Sequence, residues 1–543
     1  MNMNMNKTQV LLASVAVLAT FTIAQPSTHA AKYASINWME NSDLTTVDPS
    51  KATDAPSFHE LDLTQEALYR EGKKGNPELA AAKSAKVSKD GLTWTFKLRH
   101  NLKWANGEKL TAKDFVYGWQ RTINPKTAAE YAYLYSGIKN ADSIQAGKVK
   151  DVSKLGITAV GDYELKVTLE NPMPQLPMIL MAPGFAPQNQ AFVEKAGSHY
   201  GTNAKYALSS GPFILKGWNG SNTKYTLVKN KNYWDKGHVK TPKFNVQVIK
   251  DYNTGYNLFK AGKLDYAPLS PAQIKATKNN PNLKKLAGAR GQWLELNRSK
   301  VKAFKNKKIR LAITHAINRK NLVNKVLTGS AVAAKTYTPL GLSIDPNTGK
   351  DFAKSNVTGN IKYNAKLAKT EWQQGLKEVG IKTLKLTILG DDTDDAKNVA
   401  QFIQAQLQDT LPGLTIDVKS VPKQTRSDLQ TKGDFDIALT GWGADFNDPI
   451  NFLQLKITGS DFNTGKWSNK TFDKYIKLSN TTDVTNPKQR FKDLGKAERI
   501  IQEDVGVVPL DNAAATVLWR QSVKGAIIAS NGNELKEAYK LAK

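Results

Sequence analysis

The sequence predicts an α/β protein of several domains, built from mixed β-sheets flanked by helices. Three observations carry this expectation. The chain has 543 residues, too many for one hydrophobic core, so about three domains are expected. Its first half alternates β-rich runs with Gly, Pro, Asn and Asp turn signals. Its second half contains a strand–helix–strand unit at 384–389, 394–407 and 414–418, the pattern of an α/β layer.

Taken in order, residues 33–38 (YASINW) read as a short strand before the turn-rich stretch 48–56. A helix fits 58–69. Strands follow at 93–98 (TWTFKL), with the "DG" of Asp90-Gly91 as its hairpin turn, and at 164–169. Beyond Gly211 the pattern is strand-rich, with 225–228 and 244–249, then a helix around 257–261 and a strand at 292–296. Apolar residues recur at helical spacing from Ile309 to Val326, and a second helix covers 365–379. Residues 435–439 read as a strand that leads into Gly441-Trp-Gly-Ala-Asp-Phe-Asn-Asp-Pro449, where Asp445 stands between two aromatic rings.

The N-terminus carries Lys7, an apolar stretch from 10 to 24 and small residues at Thr28 and Ala30. Residues 1–31 therefore read as a secretory signal peptide cut after Ala30 or Ala31. No later run is long enough to span a membrane. Cysteine is absent, which excludes disulfides, thiol nucleophiles, thiolate metal sites and an acylated N-terminal cysteine. The expected protein is exported, non-lipidated and extracytoplasmic, in a periplasm or at the cell surface. Its formal charge is +29, spread over dispersed lysines, so anionic cell-envelope polymers are expected partners by screened attraction. No nucleic-acid motif is present, and nucleic acid is not an expected partner.

The acids Asp391, Asp392, Asp394 and Asp395 lack the spacing of an EF-hand and stand where a helix begins, where carboxylates oppose the helix dipole. The six histidines form no i,i+4 pair and no HExxH arrangement. No GxGxxG, phosphate-binding loop or G-x-S-x-G elbow occurs. The sequence predicts no enzyme, no cofactor and no metal site.

Residues 87–104 (VSKDGLTWTFKLRHNLKW) and 106–121 (NGEKLTAKDFVYGWQR) resemble the hallmark of the extracellular solute-binding family 5, the oligopeptide-binding proteins of peptide ABC importers. Ser210-Gly-Pro-Phe213, Asn230-Lys-Asn-Tyr-Trp234, Gly262-Lys-Leu-Asp265, the Gly441–Pro449 stretch and Val508-Pro-Leu510 match in the same order. The resemblance implies a periplasmic-binding-protein-like, two-lobed clamp of three domains: domain I from 32–65, 197–290 and 508–543, domain II from 66–196, and domain III from 291–507. Chain crossings near Arg290 and Val507 would form its hinge. It further implies a monomeric receptor that captures an oligopeptide between the lobes and delivers it to the membrane permease subunits of an ABC importer.

By the same resemblance Asp445 receives the peptide's α-ammonium, a cation that needs a carboxylate partner once buried. Gly441, Gly443 and the residues around Ala55 would offer backbone groups to the peptide main chain. Trp442 and Trp293 would line the cleft, Glu295 lies on the strand of Trp293, and Tyr131, Tyr133 and Tyr135 would close it from domain II; each aromatic could equally be core. Asp448, before Pro449, is the expected turn former. One departure concerns the peptide's other end. Gln430 and Leu439 stand where short-peptide binders of the family carry basic residues, with Lys432 as a substitute lacking the guanidinium fork. Two other function classes fit the sequence: a basic cell-surface adhesion protein, and a binder of another solute, such as a nickel complex or a glycan, on the same scaffold.

Overall fold

A computed structural model describes residues 32–72, 76–528, 533–535 and 537–542. The expected signal peptide, residues 1–31, lies outside the described residues. Among those described, no helix is long and apolar enough to cross a membrane.

Three larger sheets organise the chain. The first has the order Ile36–Glu40, Lys243–Val248, Lys224–Lys229, Phe213–Lys216, with its first pair parallel and the rest antiparallel. Alternate residues Phe244, Val246 and Val248 are buried, as a half-covered strand requires, and they share a core with Trp38, Leu61 and Leu227. The helix expected over 58–69 is instead Ala55–Thr64. Asp54 caps it by accepting from the Ser57 amide at 3.0 Å, and Pro56 occupies the first turn, both start signals that place it earlier. Tyr69 belongs to the strand Tyr69–Glu71.

The second sheet is antiparallel, in the order Ala82–Val87, Thr93–Leu98, Glu164–Thr168, Ile157–Ala159. Its first turn contains Asp90-Gly91 as predicted; Gly91 takes φ +74°, a conformation glycine adopts without a Cβ penalty. Its buried residues Phe96 and Leu165, together with Trp119 of the helix Ala112–Ile123, belong to a core that continues through Phe446, Ile450 and Leu494.

The third sheet has the order Tyr266–Pro268, Val508–Trp519, Leu283–Leu296, Ile437–Gly443, Leu384–Asp391, Leu414–Val421, with Ala331–Ala333 also paired to Val508–Trp519. The predicted strand–helix–strand unit is present: Leu384–Asp391 and Leu414–Val421 are parallel, and Asp394–Thr410 supplies the crossover helix that parallel strands need. Thr393 caps that helix, and Asp394 and Asp395 lie in its first turn. Among the described residues, no His, Asp or Glu cluster is placed to hold a metal ion. The helical period from 309 to 326 is not one helix. Lys307–Ala316 stops at Ile317, and the Asn318 side chain restarts the chain by accepting from the Asn321 amide at 3.0 Å, the local competition that makes asparagine a helix boundary.

Leu283–Leu296 and Val508–Trp519 pair along their length, with register shifts between Ala287 and Gly291 and between Gln292 and Trp293. At one end Val517 and Trp519 enter the core of the first sheet. At the other, Leu294, Leu296, Val508 and Leu510 enter the core under the helices of the third. Two strands therefore join two hydrophobic cores through an irregular waist.

Candidate functional site

The strand Ile437–Gly443 carries the site. Along one edge all its residues pair with residues 290–296. Along the other, only Ile437 and Ala438 find partners, in Ile388 and Leu389. Past Ala438, no described strand pairs with that second edge, and Thr440, Gly441, Trp442 and Gly443 line a cavity of about 870 Å³. A Cβ at Gly441 would stand 2.7 Å from the Gly291 carbonyl oxygen, so the close approach of these two strands requires glycine. Gly443 is exposed and faces open space.

Asp445 follows two residues after the strand. Together with Gly443 it lines both this cavity and a second one of about 340 Å³, walled by Phe58, Leu61, Tyr131 and Met178. The carboxylate stands where the two cavities meet. Oδ1 accepts from the Tyr133 hydroxyl at 2.9 Å, and Oδ2 accepts from the Asn451 amide nitrogen at 3.2 Å. Asn451 is itself buried and oriented by the Trp442 indole, which donates to its oxygen at 2.9 Å. Burial lifts the Asp445 carboxyl above the usual carboxylate range, and the two hydrogen bonds offset part of that rise. Among the described residues, no cationic side chain contributes to this balance. A carboxylate has about four acceptor positions, so capacity is left for a cation.

The turn is made by a different acid. Asp448 accepts from the Ile450 amide at 2.9 Å and is held by both ends of the Arg490 guanidinium at 2.7 and 2.9 Å. It forms the turn, as expected, and Asp445 does not.

Trp293 and Glu295 line the larger cavity, but both are buried and engaged. The Trp293 indole donates to Glu295 Oε2 at 2.8 Å, and Lys456 Nζ lies 2.6 Å from the same oxygen. Oε1 accepts from the Gly465 amide at 3.0 Å. Burial pushes the Lys456 ammonium below its ordinary value while Glu295 opposes that shift. Glu295 is part of an internal ion pair beneath the cavity.

The tyrosines divide. Tyr131 lines the smaller cavity and meets Phe58 edge-on at 5.3 Å. Tyr133 is 46% exposed and reaches Asp445. Tyr135 is core, with its hydroxyl on the Gly184 carbonyl at 2.7 Å. Ala55 is exposed and lines neither cavity; Phe58, one turn on, lines the smaller one.

Lys432 is exposed and lies outside both cavity walls, so it is not the basic group of this region. The basic residue that contacts Gln430 is Arg426, one helical turn earlier on the same helix face. It lines the larger cavity, pairs with Asp391 at 2.6 Å and hydrogen-bonds Gln430. Its i−4 spacing from Gln430 was a readable signal. Asn451 had none, because its role depends on the fold of the turn between it and Asp445.

The sequence model of the bacterial extracellular solute-binding proteins, family 5 (middle), matches residues 76–464. The chain is 38% identical over 544 aligned residues to the dipeptide-binding protein of Lactococcus lactis subsp. cremoris, covering 97% of this chain and 98% of the relative. Among solved structures, peptide-bound Listeria monocytogenes OppA superposes with a TM-score of 0.68 at 36% identity, covering 95% of this chain and 100% of that one. The unliganded open form of the murein tripeptide binding protein MppA gives 0.82 at only 26% identity, covering 95% and 98%. The better superposition is therefore with the open form, at the lower identity. A resemblance carried by motifs along the chain, a family match over residues 76–464 and relatives covered nearly end to end together place it: the chain belongs to the bacterial extracellular solute-binding proteins of family 5.

Proposed function

We propose that this chain is an extracytoplasmic receptor that captures oligopeptides between its two lobes and delivers them to the permease subunits of an ABC importer. The observation that carries the reading is a strand edge, Thr440 to Gly443, that among the described residues has no strand partner and ends beside a half-buried carboxylate with no cation. A peptide adds to such an edge through its main chain, which suits a receptor for many sequences. Its α-ammonium meets Asp445 between Tyr133 and Asn451, and its side chains enter the flanking cavities. Trp442 and Tyr131 border the path, while Trp293 and Glu295 support its floor.

The domain division expected from the sequence suits this role. The waist of Leu283–Leu296 and Val508–Trp519 is the hinge, and closure brings the helix Ala55–Thr64 toward the edge of Ile437–Gly443. The receptor acts as a monomer without chemistry of its own, exported without a lipid anchor. Where no outer membrane confines it, its positive charge holds it on anionic envelope polymer. A 1 M salt wash, where the Debye length falls to about 3 Å, releases it from intact cells; retention until detergent is added would refute that attachment.

Calorimetric titration with one peptide in free and N-acetylated forms tests the reading. The free peptide binds and the acetylated one binds at least tenfold more weakly. Equal binding of both forms would remove the ammonium contact from the account.

A further inference from the structure

We propose that Asp511 is a second anionic anchor of the cleft, one that selects oligopeptides carrying a lysine or arginine side chain. This inference rests on the peptide-receptor reading above and extends it from the shared main chain to a side chain.

Asp511 lies on Val508–Trp519, at the irregular waist. It pairs with Gln292, which in turn pairs with Gly441 on the strand edge assigned to the peptide. Directly paired residues of antiparallel strands point to the same face, and all three positions line the larger cavity. Two strand spacings separate Gly441 from Asp511, about 10 Å, within reach of a long side chain from a peptide laid along that edge.

Asp511 is 3% exposed, and its Oδ2 has no hydrogen-bond partner among the described residues. Buried polar atoms are nearly always satisfied, so an unsatisfied one on a residue that lines the cavity calls for a partner, which a ligand can supply once it displaces the atoms covering it. Two other acids of the same wall already have theirs: Glu295 pairs with Lys456 and Asp391 with Arg426. Arg290 acts on Asp511 through space, but it is exposed, and no ion pair joins the two within 4 Å among the described residues. Ser330, Ala331 and Ala513 are the neighbours on the wall, and their small side chains leave room for an aliphatic stem. Burial lifts the Asp511 carboxyl to about 7; an incoming ammonium or guanidinium favours the ionised form and supplies the missing donor. The α-ammonium has no stem with which to reach this depth. A lysine or arginine side chain has one.

The test is calorimetry with the full mature chain and pairs of tetrapeptides that differ only by lysine or norleucine at one position, each position in turn. Norleucine keeps the stem and lacks the charge. Wild type should bind the lysine member at least tenfold tighter at one position or more, and Asp511→Asn should erase that preference while leaving affinity for the norleucine member within about twofold. A wild type without preference at any position overturns the proposal, whatever the variant does. Equal loss for both members in Asp511→Asn also overturns it, because the acid then serves the waist and not the ligand. If norleucine peptides bind well and lysine adds nothing, only this proposal falls; if no peptide binds, the receptor reading falls first.

Discussion

Replacing Asp445 by asparagine isolates its charge. The asparagine oxygen can still accept from Asn451 and its amide can donate to the Tyr133 hydroxyl oxygen, so the network of bonds at 2.9 and 3.2 Å around the wild-type carboxylate keeps its shape. What is lost is the partner of a desolvated ammonium. Truncating one member of a buried charge pair costs about 3–5 kcal/mol; because Asp445 is only half buried, the lower end applies. About 3 kcal/mol corresponds to roughly two decades in Kd. Stability moves the other way. Folding raises the Asp445 carboxyl, so its ionised form destabilises the fold once the pH exceeds the unfolded value, fully so above the folded value. The ligand-free variant at neutral pH should therefore melt at or above the wild-type temperature. Calorimetry in a two-by-two cycle, wild type and variant against free and N-acetylated peptide, separates the contact from incidental effects. The variant should bind both peptides alike. A variant with native melting behaviour and an unchanged preference for the free peptide would refute the assignment.

Four further outcomes follow from Asp445 and neighbouring residues. Affinity for a free peptide should fall on acidification as Asp445 takes up a proton, beginning above the range near 3.9 where exposed aspartates titrate; a flat profile from pH 7 to pH 4 would contradict this. Tyr133→Phe should move that fall to higher pH, since its hydroxyl favours the carboxylate, whereas Tyr135→Phe should leave affinity alone and lower the unfolding free energy by about 1 kcal/mol, read by urea denaturation. Lys456→Met strands the buried Glu295 charge and should destabilise the chain by about 3–5 kcal/mol, with most of the loss recovered in Glu295→Gln/Lys456→Met; a neutral single variant would show that the pair is not the buried contact described.

Elements decided by local pattern were readable from the chain alone. Thr93–Leu98 and Ala365–Val379 have the predicted bounds, because period-two and helical spacing were both followed by clear stop signals. The strand–helix–strand unit and the Asp90-Gly91 turn were readable for the same reason. The family motifs likewise singled out Asp445, since a carboxylate between aromatic rings is a local feature. The first part of Leu283–Leu296 was not readable: LKKLAGAR shows no alternation, and those residues are strand only because Val508–Trp519, more than two hundred positions later, pairs with them. The break at Asn318 was missed because apolar spacing continued across a residue whose side chain prefers the backbone. The division among Tyr131, Tyr133 and Tyr135 was equally hidden, since an alternation of i, i+2 and i+4 tyrosines reads alike whether a ring meets core, cavity or carboxylate. The sequence by itself determined the layers, the chemistry available and the acid proposed to meet the ligand. Tertiary structure alone decided that, among the described residues, Glu295 has Lys456, Asp445 has no cation and Asp511 Oδ2 has no hydrogen-bond partner, because whether a charge is paired depends on residues brought together across the chain, and neighbours in sequence carry no record of them.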